Sequence, residues 1–176
     1  MIELMGGSIQ VESTQGVGTK FTVDISFDTA SEADVYRNQI SEQPDILEKL
    51  EGKRILLAED NDLNAEIAIE LLAEQKIITD RAEDGAECLD KLEKAVAGYY
   101  DMILMDIQMP VMDGYDAAAR IRRMQDEKKA SIPIIAMTAN AFAEDRQKAI
   151  SMGMNDHVAK PIDMKVLLPV IAKYIR

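Results

Sequence analysis

From Lys53 onward, short apolar runs alternate with longer segments of helical periodicity, and this alternation constrains the fold more than any other feature. Short apolar runs are typical of strands buried on both faces, whereas apolar residues three and four positions apart indicate helices with one buried face. Strands alternating with helices favour a parallel sheet covered on both sides. We therefore predict an α/β domain with a doubly wound, five-stranded parallel sheet over about residues 52–176. The predicted strands are Ile55–Ala58, one opening at Ile77, one ending at Asp106, Ile132–Met137 and Asp156–Ala159.

Apolar spacing and capping residues predict the helices of this domain. Asn61 or Asp62 is expected to cap the first helix, Asp84-Gly85 precedes the second, and Gly153 suits the C-terminal end of the fourth, which begins near Phe142. The predicted buried faces include Ile67, Leu71 and Leu72; Leu89, Leu92 and Val96; Ala117, Ile121 and Met124; and, in a last helix that contains Pro169, Val166, Leu167, Val170, Ile171 and Tyr174.

Polar residues stand at the ends of four of the predicted strands. The carboxyl ends of parallel strands meet at one edge of a sheet, where open α/β folds bind ligands. Carboxylates brought together there repel one another unless a cation lies among them, and hard oxygen ligands suit Mg²⁺. The residues are Glu59 and Asp60 on the first strand, Asp106 on the third, Thr138 on the fourth and Lys160 on the fifth.

Asp106 interrupts an apolar strand that Pro110 and Asp113-Gly114 terminate. A carboxylate can form an aspartyl-phosphate intermediate, and phosphoryl transfer depends mainly on positioning and charge neutralisation. Lys160 offers a positive charge, and Thr138 a hydroxyl, for phosphoryl oxygens. Singly, such acids are usually helix caps and such a lysine is solvated. Together the five residues favour a site that accepts a phosphoryl group.

Two other functions are open at this stage. The pocket could belong to an interaction module that is never phosphorylated. It could also belong to a phosphohydrolase with an aspartyl intermediate, which usually needs a second acid two residues after the nucleophile; that position holds Gln108.

Four segments, in order and at the expected intervals, resemble the receiver domain of two-component response regulators: Leu57–Asn61, Met105–Gly114, Ala136–Ala139 and Ala159–Ile162. The resemblance implies a flavodoxin-like fold and a phosphorylated Asp106. It implies that Asp60 and Asp106 bind Mg²⁺ together with the backbone carbonyl of Gln108, while Glu59 acts through water. Thr138 would be the switch hydroxyl and Lys160 the phosphoryl-binding lysine.

The sequence departs from the family at the second switch position. Receivers usually carry Tyr or Phe three residues before the lysine, where this chain has His157, its one histidine. An imidazole can still rotate and hydrogen-bond, but it lacks the phenol tip. By family analogy, Gln108 and Asn140 tune the lifetime of the phosphate.

Residues 1–27 alternate apolar and polar residues around a glycine-rich turn, which predicts a β-hairpin. The segments Leu4–Ser13 and Gly16–Phe21 resemble the end of a histidine-kinase ATP-binding domain, without its nucleotide-binding motifs, so this chain is expected neither to bind ATP nor to phosphorylate a histidine of its own. An acidic linker is predicted over residues 28–51. This layout implies the C-terminal fragment of a hybrid sensor histidine kinase. Because a lone hairpin is not independently stable, a partner domain or a second copy of the chain, forming a homodimer, is expected to cover it.

Charge and cysteine content restrict partners and compartment. A net charge of −12 argues against binding of nucleic acid or anionic membranes. The single Cys88 cannot form an internal disulfide, and no apolar run reaches the length of a membrane span. We therefore predict a cytoplasmic fragment, although its parent kinase could be membrane-anchored. Its expected phosphodonor is a phosphohistidine, on that kinase or on a histidine-phosphotransfer domain.

Overall fold

The computed structural model describes residues 8–14, 18–24, 48–139 and 143–175. The chain divides into two units, residues 1–41 and residues 42–176. The expectations for the hairpin turn at residues 15–17, most of the acidic linker, Phe142 and Asn140 lie outside the described residues.

The second unit contains the predicted five-stranded parallel sheet with helices on both sides. Its elements are β3 (Arg54–Ala58), α1 (Asp62–Glu74), β4 (Ile78–Ala82), α2 (Gly85–Lys94), β5 (Met102–Asp106), α3 (Gly114–Ile121), α4 (Glu127–Ala130), β6 (Ile134–Thr138), α5 (Ala143–Ser151), β7 (Asp156–Ala159) and α6 (Met164–Tyr174). The strand order is β4-β3-β5-β6-β7, so β4 and β7 are the edges and β5 is central. The fold prediction is therefore confirmed.

An apolar core lies on each face of this sheet, because successive side chains of a strand point to opposite faces. Leu56 and Ile103 pack on the side of α2 and α3, and Leu57 and Leu104 pack on the side of α1 and α6. Every residue of β5 and β6 is buried. The carboxyl end of β5 is thus enclosed on both sides by buried residues.

Three helices differ from the predicted faces. In α6, Val166 was predicted on the buried face but is 53 % exposed. Helix α1 buries Ala65, Ala68 and Leu72, whereas Ile67 is 47 % exposed. Helix α2 ends at Lys94, which leaves Val96 75 % exposed beyond it. The predictions followed the largest apolar side chains, whereas α1 packs closely through small ones. The short helix α4 was not predicted, and α3 ends before Met124.

The caps follow the predicted chemistry. Asn61 caps α1 through a bond from the Asn64 amide, Asp84 caps α2, and Asp113 caps α3. Gly153 has a φ of 94°, as expected of a glycine that ends a helix. None of the described helices is long and apolar enough to cross a membrane.

The first unit contains an antiparallel hairpin of β1 (Ser8–Thr14) and β2 (Gly18–Asp24). Val11 lies opposite Phe21, and these two side chains are 55 % and 65 % exposed. The predicted hairpin is present. The predicted limits of the three segments, 1–27, 28–51 and 52–176, stay a prediction.

Candidate functional site

A cleft of about 320 Å³ opens at the carboxyl edge of the parallel sheet. It brings together all five strand-end residues on which the sequence prediction rests, and Gln108 lines it as well. His157 is not among its lining residues. The lining residues are Glu59, Asp60, Asn61, Asn64, Asp106, Ile107, Gln108, Tyr115, Thr138, Ala139 and Lys160.

Asp106 is buried at the end of β5, with only 6 % of its surface exposed. The chain turns back directly beside it, since the Gly114 amide donates to the carbonyl of Ile107 at 3.0 Å. A Cβ on Gly114 would collide with the Asp106 carbonyl oxygen. The glycine therefore lets α3 begin against the strand end and helps to hold the carboxylate at the mouth of the cleft.

Lys160 bridges the two buried carboxylates of the cleft. Its Nζ lies 2.6 Å from Asp106 Oδ2 and 2.5 Å from Glu59 Oε2. Glu59 is 2 % exposed, and its other oxygen accepts from Asn64 Nδ2 at 3.0 Å. The main chain of Lys160 is tied to the neighbouring strand by a 2.7 Å bond from its amide to the Thr138 carbonyl. One ammonium group thus serves two acids, and the trio carries a net negative charge.

The pKa values of the bridged groups reflect this imbalance. Burial raises the pKa of Asp106 above its ordinary value, although the hydrogen bond from Lys160 works in the opposite direction. Burial works to lower the pKa of Lys160, but hydrogen bonds to Asp106 and Glu59 outweigh it, so this pKa is raised. Both shifts are expected when one cation is shared between two buried carboxylates.

The acidic residues fit a divalent cation. Glu59, Asp60 and Asp106 each offer a carboxylate oxygen, and the three oxygens lie within 4.8 Å of one another. Two of these side chains are buried and Asp60 is exposed, which leaves one side of the cluster open. Mg²⁺ prefers such a set of oxygen ligands and usually keeps several waters.

Thr138 and His157 lie on neighbouring strands but at different levels. Thr138 is buried and pairs in register with Ala159, whereas His157 pairs with Ala136. Nδ1 of His157 is buried and has no hydrogen-bond partner within the described part of the chain. The predicted switch pair is therefore two register positions apart along the sheet.

Sequence reasoning missed two contributors to the cleft. Tyr115, at the start of α3, lines the wall and is covered by the Lys148 ammonium 4.2 Å from its ring centroid. Arg81, on β4, binds the loop that carries Glu59 and Asp60. A mid-strand arginine gives no signal in one sequence, because its partners are main-chain carbonyls of a distant segment.

Cys88 is fully buried in α2, and burial raises the pKa of its thiol to about 12. It packs with Leu92 of the same helix in the core on that side of the sheet. A thiol so placed is not available as a nucleophile at neutral pH.

Comparison with known proteins agrees with the fold and the cleft. Residues 55–172 match the family described as the response regulator receiver domain. Hybrid signal transduction histidine kinase B of Dictyostelium discoideum is 40 % identical over 138 residues, which is 73 % of this chain and 7 % of that protein. Sensor protein EvgS of Escherichia coli K12 is 32 % identical over 167 residues, 95 % of this chain and 13 % of the relative. The chain thus spans only a small part of either relative.

Two solved structures are informative. The receiver domain of the sensor histidine kinase PA1611 from Pseudomonas aeruginosa, with magnesium coordinated in its active-site cleft, is 36 % identical at a TM-score of 0.63, covering 70 % of this chain and 97 % of that one. A second solved structure contains the receiver domain of Ssk1 and the histidine phosphotransfer protein Ypd1 of Saccharomyces cerevisiae. It matches at 29 % identity and a TM-score of 0.64, covering 71 % of this chain and 90 % of that one.

The fold and cleft define a receiver domain of two-component signalling. This chain belongs to the response regulator receiver family, and the prediction of a phosphorelay receiver role is confirmed.

Proposed function

We propose that Asp106 accepts a phosphoryl group from a phosphohistidine in a Mg²⁺-dependent reaction. A carboxylate oxygen of Asp106 attacks phosphorus, the N–P bond of the donor breaks, and the released imidazole takes up a proton. The charged groups around Asp106 are the main support for this proposal. Carboxylate oxygens of Glu59 and Asp60 lie within 4.8 Å of one of its own, and Lys160 Nζ lies 2.6 Å from its Oδ2. Such a group of charges positions a metal and a phosphoryl group around one nucleophile.

We assign the metal to Glu59, Asp60, Asp106 and the backbone carbonyl of Gln108. When bound, Mg²⁺ neutralises charge on the transferred phosphoryl group. Lys160 holds the Asp106 carboxylate before transfer and donates to a phosphoryl oxygen afterwards. The buried hydroxyl of Thr138 donates to another of these oxygens. Each role uses a residue that lines the cleft.

Read-out begins with Thr138 in this proposal. Movement of its hydroxyl towards the phosphoryl group draws β6 with it, and His157 on β7 responds by changing its rotamer. Support comes from the register, which sets the two residues on adjacent strands, and from Nδ1 of His157, which has no hydrogen-bond partner among the described residues and lies 3.7 Å from Asp156 Oδ1. A bond formed by that nitrogen in one state only would make it part of a two-state element.

The donor in this proposal is a phosphohistidine-bearing domain, either in a parent hybrid kinase or in a separate phosphotransfer protein. A largely apolar depression of about 300 Å³ adjoins the cleft and includes Ile67, Pro161 and Ile162. Exposed Leu63 precedes it on α1. Apolar contacts beside the nucleophile would orient a donor helix with its histidine over the cleft. In a hybrid kinase, the hairpin of residues 1–27 would complete the preceding kinase domain or pair with a second copy.

Beryllofluoride, a phosphoryl analogue that forms a bond with a carboxylate, tests the proposal. With Mg²⁺ present we expect saturable binding to the wild type and none to Asp106→Asn. Asp90→Asn, a change at an exposed carboxylate on α2, is the matched control and should bind as the wild type does. Binding that persists in Asp106→Asn would refute the assignment of the acceptor. Rapid turnover of small phosphate esters would instead favour the hydrolase alternative.

A further inference from the structure

Arg81 connects β4 to the loop that carries two of the clustered acids. Its Nε donates to the Glu59 carbonyl at 3.1 Å, and one terminal nitrogen donates to the Asp60 carbonyl, also at 3.1 Å. The same terminal nitrogen lies 2.8 Å from a carboxylate oxygen of Asp62. One guanidinium group therefore contacts three of the four residues Glu59 to Asp62, which connect β3 to the first turn of α1.

This segment lies between two regular elements. Its last ladder bond runs from the Glu59 amide to the Ala82 carbonyl at 3.0 Å, and α1 begins at Asp62. The carbonyls that Arg81 binds lie after the strand ladder and before the first helical turn. A planar guanidinium can donate to two such acceptors at once, and charge-assisted bonds of this kind are stronger than neutral ones.

Arg81 is held firmly enough to act in this way. Its own position in β4 pairs in register with Leu57, and its side chain is 23 % exposed. Its carbonyl accepts a hydrogen bond from Lys91 Nζ, and that ammonium also pairs with Glu87 at 3.0 Å. The contact with Asp62 is of less weight, because the Asp62 side chain is 91 % exposed and surface ion pairs contribute little.

We propose that Arg81 is a positioning residue for the metal cluster: it fixes the main chain of Glu59 and Asp60 so that their carboxylates face Asp106. This proposal rests on the proposed function, since it assigns Arg81 a part in Mg²⁺ binding. The direction of the effect of Arg81 on Mg²⁺ affinity distinguishes this role from simple charge repulsion. As a nearby cation, Arg81 would weaken metal binding by repulsion, whereas as a positioning residue it strengthens binding.

The test is the Kd for Mg²⁺ measured by titration of backbone amide resonances, with unfolding in EDTA as a second readout. Residues that orient metal ligands typically change affinity by at least about tenfold. We expect Arg81→Gln to weaken binding by about tenfold. Arg81→Lys keeps the charge but cannot donate in a planar fork, so it should lose at least as much affinity. Arg81→Lys also carries the test if Arg81→Gln does not fold.

Two controls separate position from charge. Arg54→Gln removes a cation from the opposite end of the neighbouring strand, and Asp62→Asn removes only the exposed ion pair. Both should bind Mg²⁺ within about twofold of the wild type, on the expectation that surface pairs contribute little.

Unchanged or tighter binding in Arg81→Gln would overturn the positioning role, as would an equal loss in Arg54→Gln. Failure of the proposed function looks different: the wild type itself would not bind Mg²⁺, or Asp60→Asn would bind as well as the wild type.

Discussion

Replacement of Lys160 by methionine probes the energetics of the cleft most directly. The change leaves Glu59 and Asp106, 2 % and 6 % exposed, without the ammonium group that lies 2.5 and 2.6 Å away. At an effective dielectric constant of about 20, each contact is worth roughly 6 kcal/mol in gross Coulomb energy, most of which offsets desolvation. Loss of one partner from a buried ion pair typically costs about 3–5 kcal/mol. We therefore expect Lys160→Met to lower the free energy of unfolding by that amount at pH 7.5 in EDTA.

The pH dependence of this loss follows from the carboxylates. Burial already raises the pKa of Asp106 in the wild type, and the variant lacks the Lys160 hydrogen bond that lowers it, so protonation of Asp106 favours the folded variant. The deficit should be complete at neutral pH and shrink as the pH falls through the raised folded-state pKa of Asp106 towards its unfolded value. In the wild type the raised pKa of Lys160 keeps the ammonium group charged at pH 7.5, and on the alkaline side the bridge is lost as the pH rises through that pKa.

Urea denaturation followed by circular dichroism measures the difference. Lys94→Met is the matched control, because Lys94 pairs with Asp90 at 2.7 Å on an exposed helix face. An exposed pair is worth about 0–1 kcal/mol, so this variant should lose little. A Lys160→Met protein as stable as Lys94→Met at pH 7.5 would refute the argument, because the two acids would then be solvated rather than buried.

Three further predictions concern other parts of the domain. Gly114→Ala should destabilise the protein by about 1–3 kcal/mol in urea denaturation, since the added methyl meets the Asp106 carbonyl; no loss would contradict the close approach. Cys88 should not react with a thiol reagent at pH 8 until the protein unfolds, because burial raises its pKa to about 12, and reaction in the native state would contradict that burial. Saturating Mg²⁺ should raise the melting temperature of the wild type but not of Asp60→Asn, since a ligand that binds only the folded state stabilises it. Equal increases in the melting temperatures of both proteins would show that Mg²⁺ binds at a site that does not include Asp60.

Much of the sheet could be predicted because its strands are short and apolar and end at residues that commonly terminate strands. Pro110 and Asp113-Gly114 mark the end of β5, and the buried strand leaves Asp106 at the edge where the other strand ends meet. A parallel sheet aligns these ends whatever the details of helix packing. For this reason the five strand-end residues could be expected to line one cleft, as they do, while their roles there stay a prediction and some helix faces were predicted wrongly.

The errors lie where packing depends on the partner surface. Helix α1 presents Ala65 and Ala68 to the sheet, and Ile67 turns outward beside the apolar depression next to the cleft. Apolar periodicity identifies the apolar positions of a helix, but it does not distinguish the side that packs on the sheet from a second apolar side that faces solvent or a partner. The exposed position of Ile67 is consistent with a docking role in the proposed function.

Contacts from side chain to main chain were not predictable from one sequence. Arg81 binds carbonyls, which every residue carries, so no complementary residue type signals the contact. The same holds for Arg122, at the end of α3, whose guanidinium donates to the carbonyls of Ala130, Ile132 and Gly153. Such arginines can be identified only from the three-dimensional structure, where distant segments of the chain are in contact.

Phosphotransfer to the wild type and to Asp106→Asn tests the central claim most directly. A phosphohistidine donor labelled in its phosphoryl group is mixed with each protein in Mg²⁺ and in EDTA, and the label is then located by borohydride reduction and peptide mass analysis. We predict Mg²⁺-dependent labelling of the wild type at Asp106 and none of the variant. Equal labelling of both proteins, or a label at another residue, would contradict the assignment of Asp106 as the phosphoacceptor.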